Sequence, residues 1–232
     1  MTFAETDPEF AQYHADFVDE TLQHASLNSH DRAVVQLGAM IAAGAQTAFR
    51  QLLGTALDGS LTPVEAKEIG YQAVAYVGSA RASDFLTITN DVLTARGVEL
   101  PLPGRSTTTP DDRLERGRAV QSAVVGAGRV DAMYENAADD TVHFQRFLSG
   151  NCFGDTVGRD GLDLPTRELL TFAVLVALGG ADAQVTGHVA GNLHVGNTRQ
   201  QLLDVLTVLV PVIGYPRTLN GLAAVNEGAP AD

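Results

Sequence analysis

Four stretches of this chain, residues 34–43, 64–76, 169–178 and 202–212, are densely apolar without the alternation of a half-buried strand. Turn signals separate them at helix-length intervals: Asp58-Gly59-Ser60, Gly78, Gly179-Gly180, Gly196-Asn197 and Gly214, with further breaks at residues 101–104 and 126–128. Two helix starts are explicit. Thr62-Pro63-Val64-Glu65 offers an N-cap threonine, a proline at the first helical position and a glutamate three residues on, which together form a capping box. Thr198-Arg199-Gln200-Gln201 repeats the box with glutamine. The pattern predicts an all-α chain.

The two boxes belong to a longer repeat. The first copy runs from Leu27 and Arg32 through an apolar helix to Ala43-Gly44, a second helix, Thr62, a third helix and Gly78-Ser79-Ala80-Arg81. The second runs from Leu162 and Arg167 through an apolar helix to Gly179-Gly180, a second helix, Thr198, a third helix and Gly214-Tyr215-Pro216-Arg217. The anchors keep a constant offset to within about two residues. Between the copies, residues 97–112 are rich in Pro, Thr and Gly and read as a linker. It divides an N-terminal module, 1–96, from a C-terminal module, 113–232, whose residues 113–153 supply two further helices. The first and third helices of each copy are apolar almost all round and must be buried on every side. The copies are therefore expected to pack on each other, and whole chains on other chains, as a homo-oligomer.

Composition narrows the function. With 232 residues, 45% of them apolar, the chain closes a core without difficulty. A single cysteine excludes a disulfide framework and a cysteine-based zinc site. Fifteen basic against 28 acidic residues leave a formal charge of −13, which repels phosphate backbones and anionic lipid. No nucleic acid or membrane partner is expected. Glu5, Asp7 and Glu9 stand where a secretory signal would be basic and then apolar, and the longest apolar runs are too short to span a bilayer. A soluble cytoplasmic protein is the economical expectation. His14, His24, His30 and His143 form no metal-ligand spacing, so no metal site is expected.

The second module resembles the carboxymuconolactone decarboxylase family, which also contains the alkylhydroperoxidase D proteins. The resemblance rests on Glu115-Arg116-Gly117 with Val124-Val125-Gly126, and on Cys152-Phe153-Gly154-Asp155 running through Arg159 to Gly161-Leu162. It continues through Thr166-Arg167, His188 ten residues ahead of Thr198, and Gly214-Tyr215-Pro216. Residues 27 to 95 resemble the shorter core of the same family. The resemblance implies an alkylhydroperoxidase D-like helical bundle of two tandem repeats packed together, oligomerising as a trimer that mimics a hexamer.

The peroxidase branch of the family needs C-x-x-C with a histidine four residues on, which stacks two thiols and an imidazole on one helix face. Here those positions are Ala181 and Gln184, and Cys152 has no partner cysteine, so a dithiol peroxidase is excluded. The decarboxylase branch, by resemblance, uses no cofactor and acts on a small carboxylated lactone or related oxo acid. Such chemistry needs an electron sink, a proton donor and cations for the substrate's carboxylates.

His188 at the family's histidine position is the candidate acid, with Asn192 one helical turn on to orient its ring. Glu168 lies across a helix-helix turn and can meet it. A glutamate near that position relays protons in the peroxidase branch, and a solvated glutamate in a first helical turn is the bland alternative. Arg159 and Arg167, with Arg116 as a third, are candidates for the substrate carboxylate through bidentate guanidinium geometry, or else pair with acidic neighbours at an interface. Asp155 can pair with Arg159 across one turn. In the first module His188 is replaced by Gln51 or Leu52 and Glu168 by Ala33, so that module reads as a degenerate copy supplying walls or interface. Two alternatives stand beside the lyase: a redox-inactive relative of the alkylhydroperoxidases acting on another small molecule, and a non-catalytic oligomeric binding or scaffold protein.

Overall fold

Thr62 accepts from Glu65 N at 3.3 Å while its own N–H donates to the Glu65 carboxylate at 2.7 Å, so the predicted capping box is formed. Thr198 and Gln201 do the same, and Asn28 and Asp163 cap the two apolar helices that open each repeat. The computed structural model describes residues 3–231, and among these no strand occurs. The first repeat consists of α3 (Ser29–Ala43), α4 (Gln46–Ala56), α5 (Pro63–Val77) and α6 (Ser79–Ala95), preceded by α1 (Phe3–Thr6) and α2 (Pro8–Gln23). Ahead of the second come α7 (Arg113–Val125), α8 (Ala127–Glu135), α9 (Val142–Phe147) and a π-helical segment, Leu148–Val157. The second repeat is α10 (Leu164–Leu178), α11 (Asp182–His194), α12 (Arg199–Ile213) and α13 (Tyr215–Gly228).

Counterpart helices begin 135 or 136 residues apart, Ser29 against Leu164 and Pro63 against Arg199. Their packing is reciprocal. The first helices, α3 and α10, lie against each other so closely that a Cβ on Gly38 would stand 2.3 Å from Leu170 Cδ1. Each third helix then packs on both, α5 reaching across to α10 and α12 across to α3. One apolar core therefore runs through both repeats, with Leu37, Phe49 and Phe85 from the first and Leu170, Phe172 and Leu209 from the second. Burial of α10 on every side follows from a sequence apolar almost all round, with Arg167, Glu168 and Thr171 paired inside.

Residues 113–153 hold more elements than the two helices expected. Gly126, at φ 89°, breaks the first after Val125, and the polar stretch 136–141 ends the second. The wide turns of the π segment follow from backbone contact with α7: a Cβ on Gly117 would lie 1.9 Å from Ser149 O, and one on Gly154 2.4 Å from Arg113 O. The glycines of the two family motifs thus mark where two backbones touch. The linker 97–112 is tied to the second repeat, with Thr107 Oγ1 donating to Gly158 O at 2.7 Å and Asp160 N to Arg105 O at 3.0 Å. No described helix is long and apolar enough to cross a membrane.

Candidate active site

Glu168 stands in the second turn of α10, fully buried, and His188 near the middle of α11. The tight Gly179-Gly180 turn folds α11 back along α10, and His188 Nδ1 meets Glu168 Oε2 at 2.8 Å. Room for the carboxylate comes from Gly191, where a Cβ would lie 2.8 Å from Oε2. A buried carboxylate holding Nδ1–H leaves Nε2 as the outward nitrogen. Among the described residues Nε2 has no hydrogen-bond partner, and the His188 side chain keeps 17% of its surface exposed. Asn192 serves the backbones instead of the ring: its Nδ2 donates to His188 O at 2.7 Å and Glu168 O at 3.1 Å. Asn197 completes the lock by donating to Asn192 Oδ1 and Pro165 O, both at 2.8 Å.

The first module supplies the rest of the wall. Tyr76 on α5 places its ring edge-to-face with His188, centroids 6.2 Å apart, and its hydroxyl accepts from Thr171 Oγ1 at 2.9 Å. Cys152 of the π segment lies in hydrogen-bonding reach of the same hydroxyl. Burial, reinforced by the nearby Glu168 charge, pushes the Cys152 thiol up to about 11, and burial first also raises Tyr76 well above the usual phenol range. Both groups hold their protons at neutral pH. Glu168 Oε1 is buried without a partner among the described residues.

The arginines occupy a different position. Arg167 is fully buried, and four of its N–H bonds are spent: Nε on Leu162 O, Nη1 on Gln72 Oε1, and Nη2 on Glu68 Oε2 and Arg159 O. Burial lowers its pKa from the ordinary arginine range, with Glu68 opposing that shift. Arg159 forks onto Glu68, Nε at 3.1 Å from each carboxylate oxygen and Nη2 at 3.0 Å, with its guanidinium over the Tyr71 ring. Glu68 and Tyr76 stand eight residues apart on α5, about 12 Å along the axis at 1.5 Å per residue. Arg159 and Arg167 are thus gathered at one end of a polar row and His188 at the other. Arg116 is more than half exposed, 3.8 Å from Asp112. Asp155 pairs with Arg113 at 2.6 Å, not with Arg159, because the π turns carry Arg159 away from it.

Glu68, Gln72 and Tyr76 escape a reading confined to the second module, although their i, i+4, i+8 spacing on α5 marks one polar stripe. Among the described residues no three His, Cys, Asp or Glu side chains come together to hold a metal ion.

This geometry can be set beside known proteins. The 4-carboxymuconolactone decarboxylase of Acinetobacter baylyi is 33% identical over 106 residues, which cover 46% of this chain and 78% of that protein. The model of the carboxymuconolactone decarboxylase family matches twice, at residues 8–91 and 143–227, once over each repeat. A tandem helical repeat whose two copies match one family model over most of the chain belongs to the carboxymuconolactone decarboxylase family.

Proposed function

We propose that this protein is a cofactor-free carboxy-lyase that decarboxylates a small carboxylated lactone or related oxo acid, with His188 as the proton donor. The family and the named relative support the carboxy-lyase class. One observation carries it: a buried carboxylate fixes His188 through Nδ1 and leaves Nε2 reachable. The bond from the substrate carbon to its carboxylate breaks heterolytically and carbon dioxide leaves. The electron pair enters the conjugated lactone carbonyl as a dienolate. Nε2–H then protonates the dienolate carbon, and solvent reloads the imidazole. Glu168 stabilises the imidazolium before transfer and fixes the ring's orientation throughout.

We assign Arg167 to the scaffold, since four of its five N–H groups are already engaged, and place Arg159, forked onto Glu68, with it. Arg116 is read as a surface residue. A homo-oligomer remains part of the proposal, the trimer that mimics a hexamer. Support comes from Phe144 and Phe147, exposed side by side on α9 at 62% and 61%. Sedimentation velocity tests it, and a monomer at micromolar concentration sinks it.

A binding protein without turnover is the second reading, favoured by the arginines standing away from His188. A direct ultraviolet assay with freshly generated 4-carboxymuconolactone separates the two. The expected result is turnover in the wild type that falls by about 10²–10⁴ in His188→Ala. Turnover untouched by the substitution removes His188 as the acid, and no turnover from a folded oligomer removes the lactone.

A further inference from the structure

The first repeat keeps the position of the site while losing its acid-base pair. The helix offset puts Leu52 on α4 where His188 stands, Ala33 on α3 for Glu168, and Ala56 for Asn192. A cavity of about 90 Å³ that opens to solvent on one side lies at these positions. Ser29, Arg32, Gln36, Thr55 and Ser60 contribute its polar wall, the Gln36 amide being already engaged on Val208 O at 3.1 Å; Ala33, Leu52 and Ala56 contribute the apolar one.

Arg32 is the counterpart of Arg167, yet its circumstances are reversed. The residue matching Glu68 is Asp204 on α12, one methylene shorter. Its two oxygens are taken by Ser26 N at 2.9 Å and Gln200 Nε2 at 2.7 Å. Arg32 is left half-buried, its guanidinium without a hydrogen bond or ion pair among the described residues. Ser29 and Ser60 likewise keep free hydroxyls, and no carboxylate lines the cavity. An unpaired guanidinium with hydroxyl donors in a carboxylate-free recess, on a chain of formal charge −13, is a site for an anion.

The volume corresponds to roughly three waters at about 30 Å³ each, and the apolar wall suits methylene groups rather than more anionic oxygen. We propose that the first module carries a second, non-catalytic site for a small carboxylate, held by Arg32. The assignment stands independently of the reaction at His188.

Arginine labelling with phenylglyoxal, read residue by residue by peptide mass mapping, tests it on the full-length protein. Arg32 is expected to label quickly and Arg167 hardly at all. Propionate at ten times its dissociation constant should slow Arg32 labelling about tenfold, as mass action requires, and sodium chloride at equal ionic strength should not. Ala33→Glu sets a carboxylate beside Arg32 and should slow its labelling without any ligand. If that variant does not fold, calorimetric titration of Arg32→Gln with propionate serves instead, and its binding heat should vanish. Unlabelled Arg32, protection equal to that by chloride, phosphate protecting as well as propionate, or undiminished heat in Arg32→Gln each overturns the proposal.

Discussion

Glu68 is, among the described residues, the sole anion holding two guanidiniums, one of them fully buried, and Glu68→Gln isolates that charge with almost no change of shape. The amide keeps one acceptor oxygen but turns an NH₂ group toward Arg159 or Arg167. What remains is an arginine buried without a counter-charge, although Leu162 O, Gln72 and Arg159 O still solvate it. Breaking one partner of a buried pair costs about 3–5 kcal/mol; with those three neutral acceptors in place the lower end, about 3 kcal/mol, applies. For a chain of this size that lowers Tm by roughly 6–12 °C. Thermal unfolding followed by circular dichroism, at one fixed protein concentration so that association does not move the midpoint, measures it. Adding Arg167→Met to Glu68→Gln removes the uncompensated cation, so the double variant should recover part of the loss, with a coupling of about 1–3 kcal/mol. A drop under about 2 °C, or a double variant that is simply additive, would refute the view that charge compensation holds this end of the polar row.

Glu168→Gln should leave the fold intact and lower kcat by roughly 10–100-fold, because the amide still accepts from Nδ1–H while losing the charge that stabilises the imidazolium; an unchanged kcat removes Glu168 from the chemistry. Gly117→Ala drives a Cβ into Ser149 O, a backbone atom that cannot swing away, so destabilisation of at least about 2 kcal/mol is expected in urea unfolding. With its thiol at about 11, Cys152 at pH 8 is roughly one part in a thousand thiolate. Iodoacetamide should therefore label the native protein far more slowly than the urea-unfolded one, the native rate rising about tenfold per pH unit until near 11. The sign for stability follows: burying the neutral thiol stabilises the fold fully below the unfolded value near 8.5, and that contribution is lost as pH rises toward 11.

The capping boxes, the glycine stops and the two apolar opening helices declare themselves in the sequence because each is a local device, complete within four to fifteen residues. His188 and Glu168 could be brought together from sequence since one short turn joins their helices, and they meet at 2.8 Å. The reach of each third helix across both repeats is not local. Nothing within residues 63–77 says that Glu68 and Tyr76 will face α10, so the sequence leaves open whether Arg159 and Arg167 hold a substrate carboxylate or pair with an acidic neighbour; the neighbour they meet lies in the other repeat. Asn192 had the right spacing for the ring but the wrong target, since its amide reaches two backbone carbonyls more readily than an imidazole already held by Glu168. The π segment was hidden for a related reason. Its wide turns answer to the touch of Gly117 on α7, thirty residues upstream, and not to its own propensities.

The reach of each third helix into the other repeat also has a meaning in genetic terms. In an assembly of identical subunits, one codon sets every copy of a site, and no copy can change alone. Here counterpart positions have separate codons, and the pairs Leu52 and His188, or Ala33 and Glu168, record how far the two have diverged. The freedom is unequal along the gene. Codons 68, 72 and 76 lie in the half that has lost its histidine, yet their side chains stand against α10 and His188. Lesions there will behave as alleles of the second half, and complementation between the two halves will not follow the boundary of the repeat.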